Sequence, residues 1–256
     1  MGKEHRLAQR RQYIINALSE AGQLTVAELS QQFNVSEVTI RQDLQALSEQ
    51  GLLQRTRGGA LSINAMPEFS FDVRQQQRSA EKARIGLAAA QRVYYGDTIF
   101  LDASTTAQAM LPHLKQIPEL TVVTNSLKLA FGLLDAPQIQ VLMPGGNLRR
   151  TSISLVGQTD CDALAGINIA TGFFGARGIS VPEGMTDVEL EEVRMKKMMV
   201  ERCRQVVGVL DGRKWGKVAA STFASLDKID IIITDADAPR ELVKQVQAHQ
   251  VEVVLV

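Results

Sequence analysis

The chain has few of the residues that define several large classes of protein. Its 256 residues include two cysteines, Cys161 and Cys203, whose wide separation suits a reducing compartment and supplies no disulfide framework. The three histidines are scattered, and no Cys/His spacing indicates a zinc site. No apolar run approaches the roughly 20 residues that span a bilayer, and no apolar signal core follows the N-terminus. We therefore expect a soluble, cytoplasmic protein that uses no metal, cofactor or membrane.

An excess of charge of one sign is also missing. The chain has 28 Lys and Arg and 28 Asp and Glu, so its formal net charge is zero, which argues against a nonspecific nucleic-acid coat. Residues 1–60 hold seven basic and six acidic residues. Any module there that binds nucleic acid would need a partner copy for useful affinity. The length allows two domains, one small and one with a sizeable core.

Two short helices with a tight break between them are predicted in the first quarter of the chain. Thr25 is a good N-cap for the first helix, whose apolar positions share one face. Asn34-Val35 forms the break, and Ser36 caps a second helix from Glu37 to Gln50. The apolar positions that would form the buried stripe of this second helix are Ile40, Leu44 and Leu47.

The opposite face of the second helix carries side chains that suit a DNA major groove. Arg can fork onto guanine, Gln onto adenine, and Val can touch a thymine methyl. The next segment, Leu53 to Leu61, has the alternating residue pattern of a small strand on either side of a glycine turn. This pattern predicts a wing in which Arg55 and Arg57 contact DNA phosphates. The groove-facing residues predicted in this way are Val38, Arg41, Gln42 and Gln45.

An ordinary helical hairpin packed in a core is the alternative interpretation, because short helix pairs are common. A third helix before the pair, with Arg6, Arg10 and Arg11 at its start, makes DNA binding the more specific interpretation. A three-helix unit followed by a basic hairpin is typical of a winged helix-turn-helix. We therefore predict such a DNA-binding domain over residues 1–61.

The rest of the chain alternates β-like and helical runs. Residues 62–79 combine a Pro break with a polar, Gln-rich stretch, and we interpret them as a connection. A helix from Ala80 to Val93 then opens a second domain over residues 80–256. Near-continuous Val/Ile/Leu strands predict a mostly parallel α/β sheet under helices. The predicted strands are 98–102, 120–124, 139–142, 206–210, 229–233 and 251–255, and the predicted helices are 107–114, 127–134, 188–202 and 240–249.

Polar residues collect at the carboxyl ends of these strands, where such sheets bind ligands. Asp102 ends the first strand, and Ser104, Thr105 and Thr106 follow at the start of a helix. Three hydroxyls with free backbone N–H groups at a helix N-terminus predict an anion site, strongest for phosphate. Simple helix capping is the alternative, which one Ser or Thr would satisfy. Further polar loops in the same orientation are 124–126, 144–149, 174–178 and 211–216.

The predicted DNA-binding domain contains three runs that match a known pattern: Val35 to Leu44, Gly51-Leu52 and Arg57 to Ala60. They resemble the N-terminal domain of DeoR-type bacterial transcriptional repressors, which has a Ser, then Thr-Ile-Arg-Arg-Asp-Leu, then a Gly-Gly-Ala wing. Gln42 stands where that family usually has a second Arg, and Arg57 where a His is common. The resemblance implies operator DNA as a partner and adds Ser36 and Thr39 to the DNA-binding positions.

The second domain resembles the same family over nearly its whole length. Its matching pieces are Asp102 to Thr106, Thr124-Asn125, Gly145-Gly146 with Leu148-Arg149, Gly157, Gly175-Ala176 with Gly178, Glu192 with Lys196, Asp211 with Lys214, and Thr234-Asp235. In that family the domain is related to ribose-5-phosphate isomerases and binds phosphorylated sugars or related metabolites. The resemblance implies that Ser104, Thr105 and Thr106 hold the phosphate. The other effector-binding positions that it implies are Asp102, Asn125, Gly146, Arg149, Gly175, Lys196 and Lys214.

Catalysis is the alternative function for such a domain. An isomerase needs a general base near an acidic C–H and a group that stabilises the enediolate. Glu192, Lys196, Asp211 and Lys214 are the obvious candidates. Glu192 and Lys196 lie four apart on a helix, however, where a surface ion pair explains them. Arg177 also stands where the family commonly has an acid. We therefore predict no enzymatic activity, with a sugar-phosphate isomerase carrying a DNA-binding tail as the alternative.

The sequence thus predicts a ligand-controlled transcription factor. Because the DeoR family mostly represses, we expect a repressor of a carbohydrate-utilisation operon, controlled by a phosphorylated sugar. One module reads too few bases for genomic specificity, so we expect a homo-oligomer, either a dimer or a tetramer. A third alternative is an architectural or interaction protein with no small ligand.

Overall fold

The chain divides into two compact units, Met1–Phe69 and Ser70–Val256. The computed structural model describes residues 3–21, 23–50, 52–56, 58–61, 71–157, 164 and 166–256. The sequence prediction also used residues that lie outside the described ranges, including Gly51, Arg57, Cys161 and the stretch 62–70 of the connection.

The first unit combines three helices with a small antiparallel sheet. Its helices are α1 (Lys3–Ala21), α2 (Val26–Phe33) and α3 (Glu37–Glu49), and its strands are β1 (Gln23–Thr25), β2 (Gln54–Arg55) and β3 (Gly59–Leu61), in the order β1-β3-β2. The antiparallel β2–β3 hairpin confirms the predicted wing, and β1 adds a strand that the sequence did not predict. A Cβ at Gly59 would lie 2.0 Å from the carbonyl oxygen of Leu24, so the β1–β3 pairing requires glycine there.

Side-chain caps begin α2 and α3 at the residues that the sequence predicts. The Thr25 hydroxyl accepts a hydrogen bond from the Glu28 amide at 3.2 Å, and the Glu28 carboxylate accepts one from the Thr25 amide at 2.9 Å. Ser36 Oγ accepts from the Thr39 amide at 3.2 Å. Asn34 ends α2 with a φ of 49°, a left-handed conformation that Asn tolerates. Each cap stabilises its helix by about 1 kcal/mol.

The second unit is an α/β domain. Its helices are α4 (Phe71–Gln76), α5 (Ser79–Ala90), α6 (Thr105–Gln108), α7 (Leu111–Leu114), α8 (Leu127–Gly132), α9 (Leu190–Val200) and α10 (Arg240–Gln247). Its strands are β4 (Thr98–Leu101), β5 (Thr121–Thr124), β6 (Gln140–Leu142), β7 (Asn147–Arg149), β8 (Ser154–Val156), β9 (Ile169–Phe174), β10 (Gly178–Ser180), β11 (Gly184–Asp187), β12 (Cys203–Val209), β13 (Ser221–Ala224), β14 (Ile231–Thr234) and β15 (Glu252–Leu255).

A parallel sheet forms the centre of this domain. Within the described residues, its seven strands follow the order β15-β14-β12-β9-β4-β5-β6, and every neighbouring pair is parallel. Buried apolar clusters include side chains of the sheet and of the helices that cover it. The prediction of a mostly parallel sheet under helices is therefore confirmed. Two small antiparallel sheets, β10-β11-β13 and β7-β8, lie outside it.

Of the seven strands described in the parallel sheet, the central strand β9, between β4 and β12, is the one that the sequence analysis missed. It contains Thr171 and Gly172, which interrupt the Val/Ile/Leu pattern used to recognise the other strands. A Cβ at Gly172 would lie 2.5 Å from Cys203 Sγ and from the Phe174 ring. The strand therefore has glycine at this position because neighbouring side chains fill the space.

The predicted connection was too long. Residues 71–79 lie in the second unit, where α4 and the first residue of α5 replace the expected linker. Phe71 is buried, and its backbone amide donates to the Thr151 carbonyl at 2.9 Å. A polar, Gln-rich composition fits a linker and the exposed side of a helix equally well. Composition alone therefore could not distinguish α4 from a linker.

Candidate DNA interface and ligand cleft

The outward face of α3 presents the residues predicted to enter a major groove. Val38 is 60% exposed, while the apolar stripe on the other side of the helix is buried. Arg41, Gln42 and Gln45 are exposed beside it. Ser36 and Thr39 lie at the N-terminal end of the same helix, with their hydroxyl oxygens 2.9 Å apart. The structure therefore brings the predicted α3 residues to one end and one face of a single helix.

Polar contacts join this face to the wing. Arg41 Nη2 lies 2.5 Å from the Glu37 carboxylate, and Arg55 Nη1 donates to Gln45 Oε1 at 2.6 Å. Gln45 Nε2 in turn donates to Glu49 Oε1 at 2.8 Å. Exposed pairs of this kind contribute at most about 1 kcal/mol, so they can exchange for phosphate or base partners at little cost. Arg55 and the α3 face therefore form one continuous surface.

A buried carboxylate beneath this surface escaped the sequence analysis. Asp43 is 1% exposed and accepts hydrogen bonds from Arg10 Nε at 2.5 Å and from Arg11 Nε at 2.9 Å. The sequence analysis interpreted these two arginines as basic residues that favour DNA binding. The structure corrects that interpretation, because their guanidinium groups tie α1 to the underside of α3.

In the second unit, polar groups converge where β4 and β9 end side by side. Asp102 follows β4, and its two carboxylate oxygens accept from the Ser104 amide at 3.0 Å and from the Gly175 amide at 2.8 Å. A Cβ at Gly175 would lie 2.3 Å from Ser104 Cβ, so the close approach of these loops needs glycine. Asp102 is 1% exposed and therefore positions the loops.

A cleft opens beside these loops. Its lining combines hydroxyl and amide groups of the strand-end loops with charged groups of several elements: Arg74, Gln77, Lys82, Ser104, Thr105, Thr106, Asn125, Gly175, Arg177, Asp187, Glu192, Lys196, Asp211, Arg213 and Lys214.

The three hydroxyl residues divide between capping and the cleft. Ser104 Oγ accepts from the Ala107 amide at 3.1 Å, so the capping interpretation holds for Ser104. Thr105 and Thr106 also line the cleft, and in the described part of the chain neither hydroxyl has a hydrogen-bond partner. Two hydroxyls are therefore available to a ligand.

Cationic side chains from different elements meet in the same cleft. Burial lowers the pKa of Lys82, on α5, to about 7, and lowers the pKa of Lys214, after β12, to about 8. Burial and the nearby Arg177 lower the pKa of Arg74, on α4, to about 10. These pKa values fall because desolvation and neighbouring cations both disfavour the charged forms. An anion in the cleft would offset the neighbouring cations and so raise these pKa values.

Lys196 lines the cleft, and two buried carboxylates hold its ammonium group. Its Nζ lies 2.7 Å from Asp187 and 3.0 Å from Asp102, and it donates to the Gly175 carbonyl at 2.8 Å. Burial alone would lower the pKa of Lys196, but the Asp187 and Asp102 carboxylates raise it above its usual value. The ammonium therefore stays charged and fixes both strand-end loops.

The surface ion pair predicted between Glu192 and Lys196 is wrong. Both residues are buried, at 8% and 7% exposure, and Glu192 instead lies 3.0 Å from Arg149 Nη1. Ser154 Oγ donates to the same Glu192 oxygen at 3.0 Å. A spacing of four places two side chains on one helix face, but it does not show whether that face is exposed.

Of the remaining predicted residues, some line the cleft and others support the loops around it. Asn125 lines the cleft, and its Nδ2 donates to the Leu155 carbonyl at 3.1 Å. Its Oδ1 is buried and has no hydrogen-bond partner among the described residues. Gly146 has a φ of 119°, and a Cβ there would lie 2.6 Å from the Val156 carbonyl oxygen. As far as the chain is described, the cleft lining includes neither Gly146 nor Arg149. Gly146 shapes the β7–β8 hairpin. Arg149 neutralises the Glu192 carboxylate.

The prediction missed several lining residues. Arg74, Gln77 and Lys82 were missed because it placed residues 62–79 in a linker and Lys82 on an ordinary helix. A signal for Lys82 exists in the sequence. Lys82 precedes Ile85 by three residues and Ala89 by seven, so it occupies the apolar stripe of α5. A lysine in a buried stripe usually has a partner or a function.

The sequence matches two family models, one for each unit. The DeoR-like helix-turn-helix domain matches residues 10–66, and the DeoR C terminal sensor domain matches residues 77–236. Together with the exposed α3 face, these matches define a DNA-binding transcriptional regulator with a separate sensor domain. The chain belongs to the DeoR family of HTH-type transcriptional regulators.

Curated relatives align with almost the whole chain. The HTH-type transcriptional regulator GolR of Listeria innocua is 34% identical over 240 residues, covering 93% of this chain and 94% of the relative. The glycerol-3-phosphate regulon repressor of Escherichia coli is 30% identical over 247 residues, covering 96% and 98%. The HTH-type transcriptional repressor GlcR of Bacillus subtilis is 34% identical over 223 residues, covering 87% and 86%.

Solved structures with similar folds include a D-ribose-5-phosphate isomerase in complex with phospho-erythronic acid. It is 15% identical, covers 54% of each chain and has a TM-score of 0.40, a likeness too weak to support a functional conclusion.

The described residues include neither a membrane-spanning helix nor a candidate metal-binding cluster. No helix there has the length and apolar character needed to cross a membrane. No group of three or more His, Cys, Asp and Glu side chains is placed there to hold a metal ion.

Proposed function

We propose that the protein represses a carbohydrate-utilisation operon and that a phosphorylated sugar, bound in the cleft, controls the affinity of the protein for operator DNA. One observation supports the effector most directly: the buried Lys82 and the half-buried Lys214 lie in one cleft with the hydroxyls of Thr105 and Thr106, which have no hydrogen-bond partner among the described residues. A phosphate dianion would supply negative charge to the two lysines and acceptor oxygens to the two hydroxyls.

The DNA half of the proposal is supported by the exposed face of α3 and by the wing. Val38, Arg41, Gln42 and Gln45 are exposed residue types that read base edges, and Arg55 stands beside them on β2. The weak excess charge of residues 1–60 means that one module gives little phosphate-driven affinity. We therefore propose a homo-oligomer that presents at least two modules to paired half-sites.

Arg41→Ala is expected to weaken DNA binding about tenfold or more, because one bidentate arginine–guanine contact contributes about 1–3 kcal/mol. The probe is a duplex that the wild-type protein selects from a random-sequence pool, measured by gel shift at fixed salt. Arg194→Ala is the matched control, since Arg194 is also an exposed helical arginine paired with a nearby acid, Glu191. Equal affinities for both variants would remove Arg41 from the interface.

Thr105→Val is expected to weaken the binding of sugar phosphates about tenfold or more and to leave DNA binding intact. The change keeps the bulk of the side chain and removes a hydroxyl that can donate to phosphate, a bond worth about 1.5–3 kcal/mol. Thermal-shift titrations with pentose and hexose phosphates measure the loss. Thr98→Val, at the other end of β4, is the control. A Thr105→Val protein that responds like the control would place the phosphate elsewhere.

Control of DNA binding requires that the effector bind two states of the protein unequally. A difference of about 1–3 kcal/mol between those states would change DNA affinity about 5- to 150-fold. We propose that residues 62–70 transmit this difference, because they join the DNA-binding unit to α4, which contributes Arg74 to the cleft.

We propose that the cleft binds its ligand without using Glu192 or Lys196 as a catalytic base, for two reasons. Lys196 is held by two carboxylates, and Glu192 is neutralised by Arg149. Neither group is therefore available as a general base with a pKa near neutrality, which proton abstraction from a sugar requires. The names of the relatives agree with this proposal, because they describe regulators and repressors.

A further inference from the structure

The cleft is small compared with a sugar phosphate. The space in it that a water-sized group can occupy is about 50 Å³. One water molecule needs roughly 10–15 Å³ of such space, so a phosphate group fits. Sites that enclose a whole small molecule usually offer about 300–1,000 Å³. A pentose or hexose phosphate can therefore enter only if one wall of the cleft moves.

One wall of the cleft is the short helix α4. It packs against α6 and contributes Arg74 to the lining. Its first residue, Phe71, is 1% exposed, and the ammonium group of Lys128 lies 5.5 Å from the centre of the Phe71 ring. At the other side of the helix, the Lys82 ammonium donates to the Arg74 carbonyl. One buried ring and several polar contacts thus hold α4 in place, and polar contacts can exchange for water.

A single residue separates α4 from α5. The Gln77 amide donates to the Val73 carbonyl at 3.3 Å, and the Lys82 amide donates to the Arg78 carbonyl at 3.0 Å, which are both α-helical spacings. Arg78, between them, has a φ of 52°, in the left-handed region that non-glycine residues enter only at a cost. If Arg78 returned to the right-handed region, α4 and α5 would align as one helix and α4 would leave the cleft.

Ion pairs offset the cost of this backbone conformation. Arg78 Nη2 lies 3.1 Å from Asp235 and 3.2 Å from Glu81, and it also contacts Asp237. Asp235 is fully buried, and its second oxygen accepts from the Gly212 amide at 2.9 Å, which fixes the carboxylate against the loop after β12. The position of α4 over the cleft therefore depends on Arg78 at one end and on the Phe71 ring at the other.

We propose that α4 is a lid over the cleft, that Arg78 is its hinge and the Phe71 ring holds it closed, and that a bound sugar phosphate keeps it open. This inference rests on the proposed function, because it assumes that the ligand is a phosphorylated sugar. It names the two states between which that ligand selects. Since α4 begins directly after residues 62–70, opening the lid also displaces the end of the connection to the DNA-binding unit.

Two substitutions at the hinge separate the lid from the simple loss of an ion pair. Arg78→Ala and Arg78→Gly both remove the guanidinium group, but alanine favours the right-handed helix, whereas glycine accepts the left-handed conformation. Calorimetric titrations of the full chain use ribose 5-phosphate, fructose 6-phosphate and glucose 6-phosphate. We expect a sugar phosphate to bind about five- to thirtyfold more tightly to Arg78→Ala than to Arg78→Gly, the factor that corresponds to roughly 1–2 kcal/mol. Inorganic phosphate, which fits the closed cleft, should bind equally to both.

Phe71→Ala tests the other end of the lid. Loss of the ring weakens the closed state alone, so sugar phosphates should bind at least about tenfold more tightly than to the wild type, while inorganic phosphate binds as before. A merely structural role for Phe71 predicts the opposite, weaker binding of both ligands. Phe131→Ala is the matched control, because Phe131 is 78% exposed on α8, and it should bind both ligands like the wild type.

The outcomes distinguish the lid from the proposed function. Sugar phosphates that bind equally to the two hinge variants would overturn the lid alone, and so would an equal change in the affinity for inorganic phosphate. If Arg78→Ala does not fold, the comparison of Phe71→Ala with the wild type decides in the same way. If neither the three sugar phosphates nor inorganic phosphate binds the wild type, the proposed function fails and the lid fails with it.

Discussion

Lys196→Met is expected to lower the free energy of unfolding of the second unit by about 3–5 kcal/mol, the range observed when one partner of a buried ion pair is removed. Methionine keeps most of the side-chain volume but leaves Asp187 and Asp102 without their shared ammonium. The carboxylate oxygens would then remain in a site with little access to water. The Gly175 carbonyl would lose its donor as well.

Urea unfolding followed by tryptophan fluorescence measures this loss. Trp215 is the only tryptophan of the chain, and it is buried in the second unit, so its emission reports on that unit. Lys197→Met is the matched control, because Lys197 is the next residue of α9 and is exposed. A Lys196→Met protein within about 1 kcal/mol of this control would show that the buried pairs contribute little, as exposed pairs do.

Asp43→Ala is expected to destabilise the DNA-binding unit by about 3 kcal/mol and to weaken DNA binding with it. The change removes two charge-assisted hydrogen bonds, from Arg10 and Arg11, each worth about 1.5–3 kcal/mol. Amide hydrogen exchange of the full chain should be about a hundredfold faster in α1 and α3, because each 1.4 kcal/mol corresponds to a factor of ten. Exchange in β4 and β9 should not change.

Glu49→Ala separates this effect from a general loss of negative charge on α3. Glu49 is exposed and accepts one hydrogen bond from Gln45, so its removal should leave exchange in α1 close to that of the wild type. Equal protection of α1 in the Asp43 and Glu49 variants would mean that the arginine–aspartate contacts do not hold α1 to α3.

Local signals explain what could be predicted about the first unit. Thr25 and Ser36 cap helices through bonds to residues three positions away, and such short spacings are visible in any sequence. The contact of Arg10 with Asp43 spans 33 positions, and no local rule couples residues so far apart. The sequence around Asp43 in α3 therefore did not indicate that this carboxylate is buried.

The second unit shows the same division between local and distant information. Strands rich in Val and Ile, such as β5 and β14, are recognisable alone, whereas β9 contains a glycine that packing demands. Ser104 to Thr106 could be placed at the end of β4 because sheet topology fixes the edge at which ligands bind. The role of Lys196 could not, since its partners come from the ends of β4 and β11.

The position of α4 has a consequence for building hybrid regulators. Exchanging DNA-reading modules between relatives requires a junction, and the apparent end of the linker at residue 79 would be the natural choice from composition. A graft made there would replace Arg74 and Gln77 with foreign side chains and remove part of the cleft wall. A junction before Phe71 preserves that wall, so a hybrid joined there would keep the specificity of the sensor while acquiring a new operator.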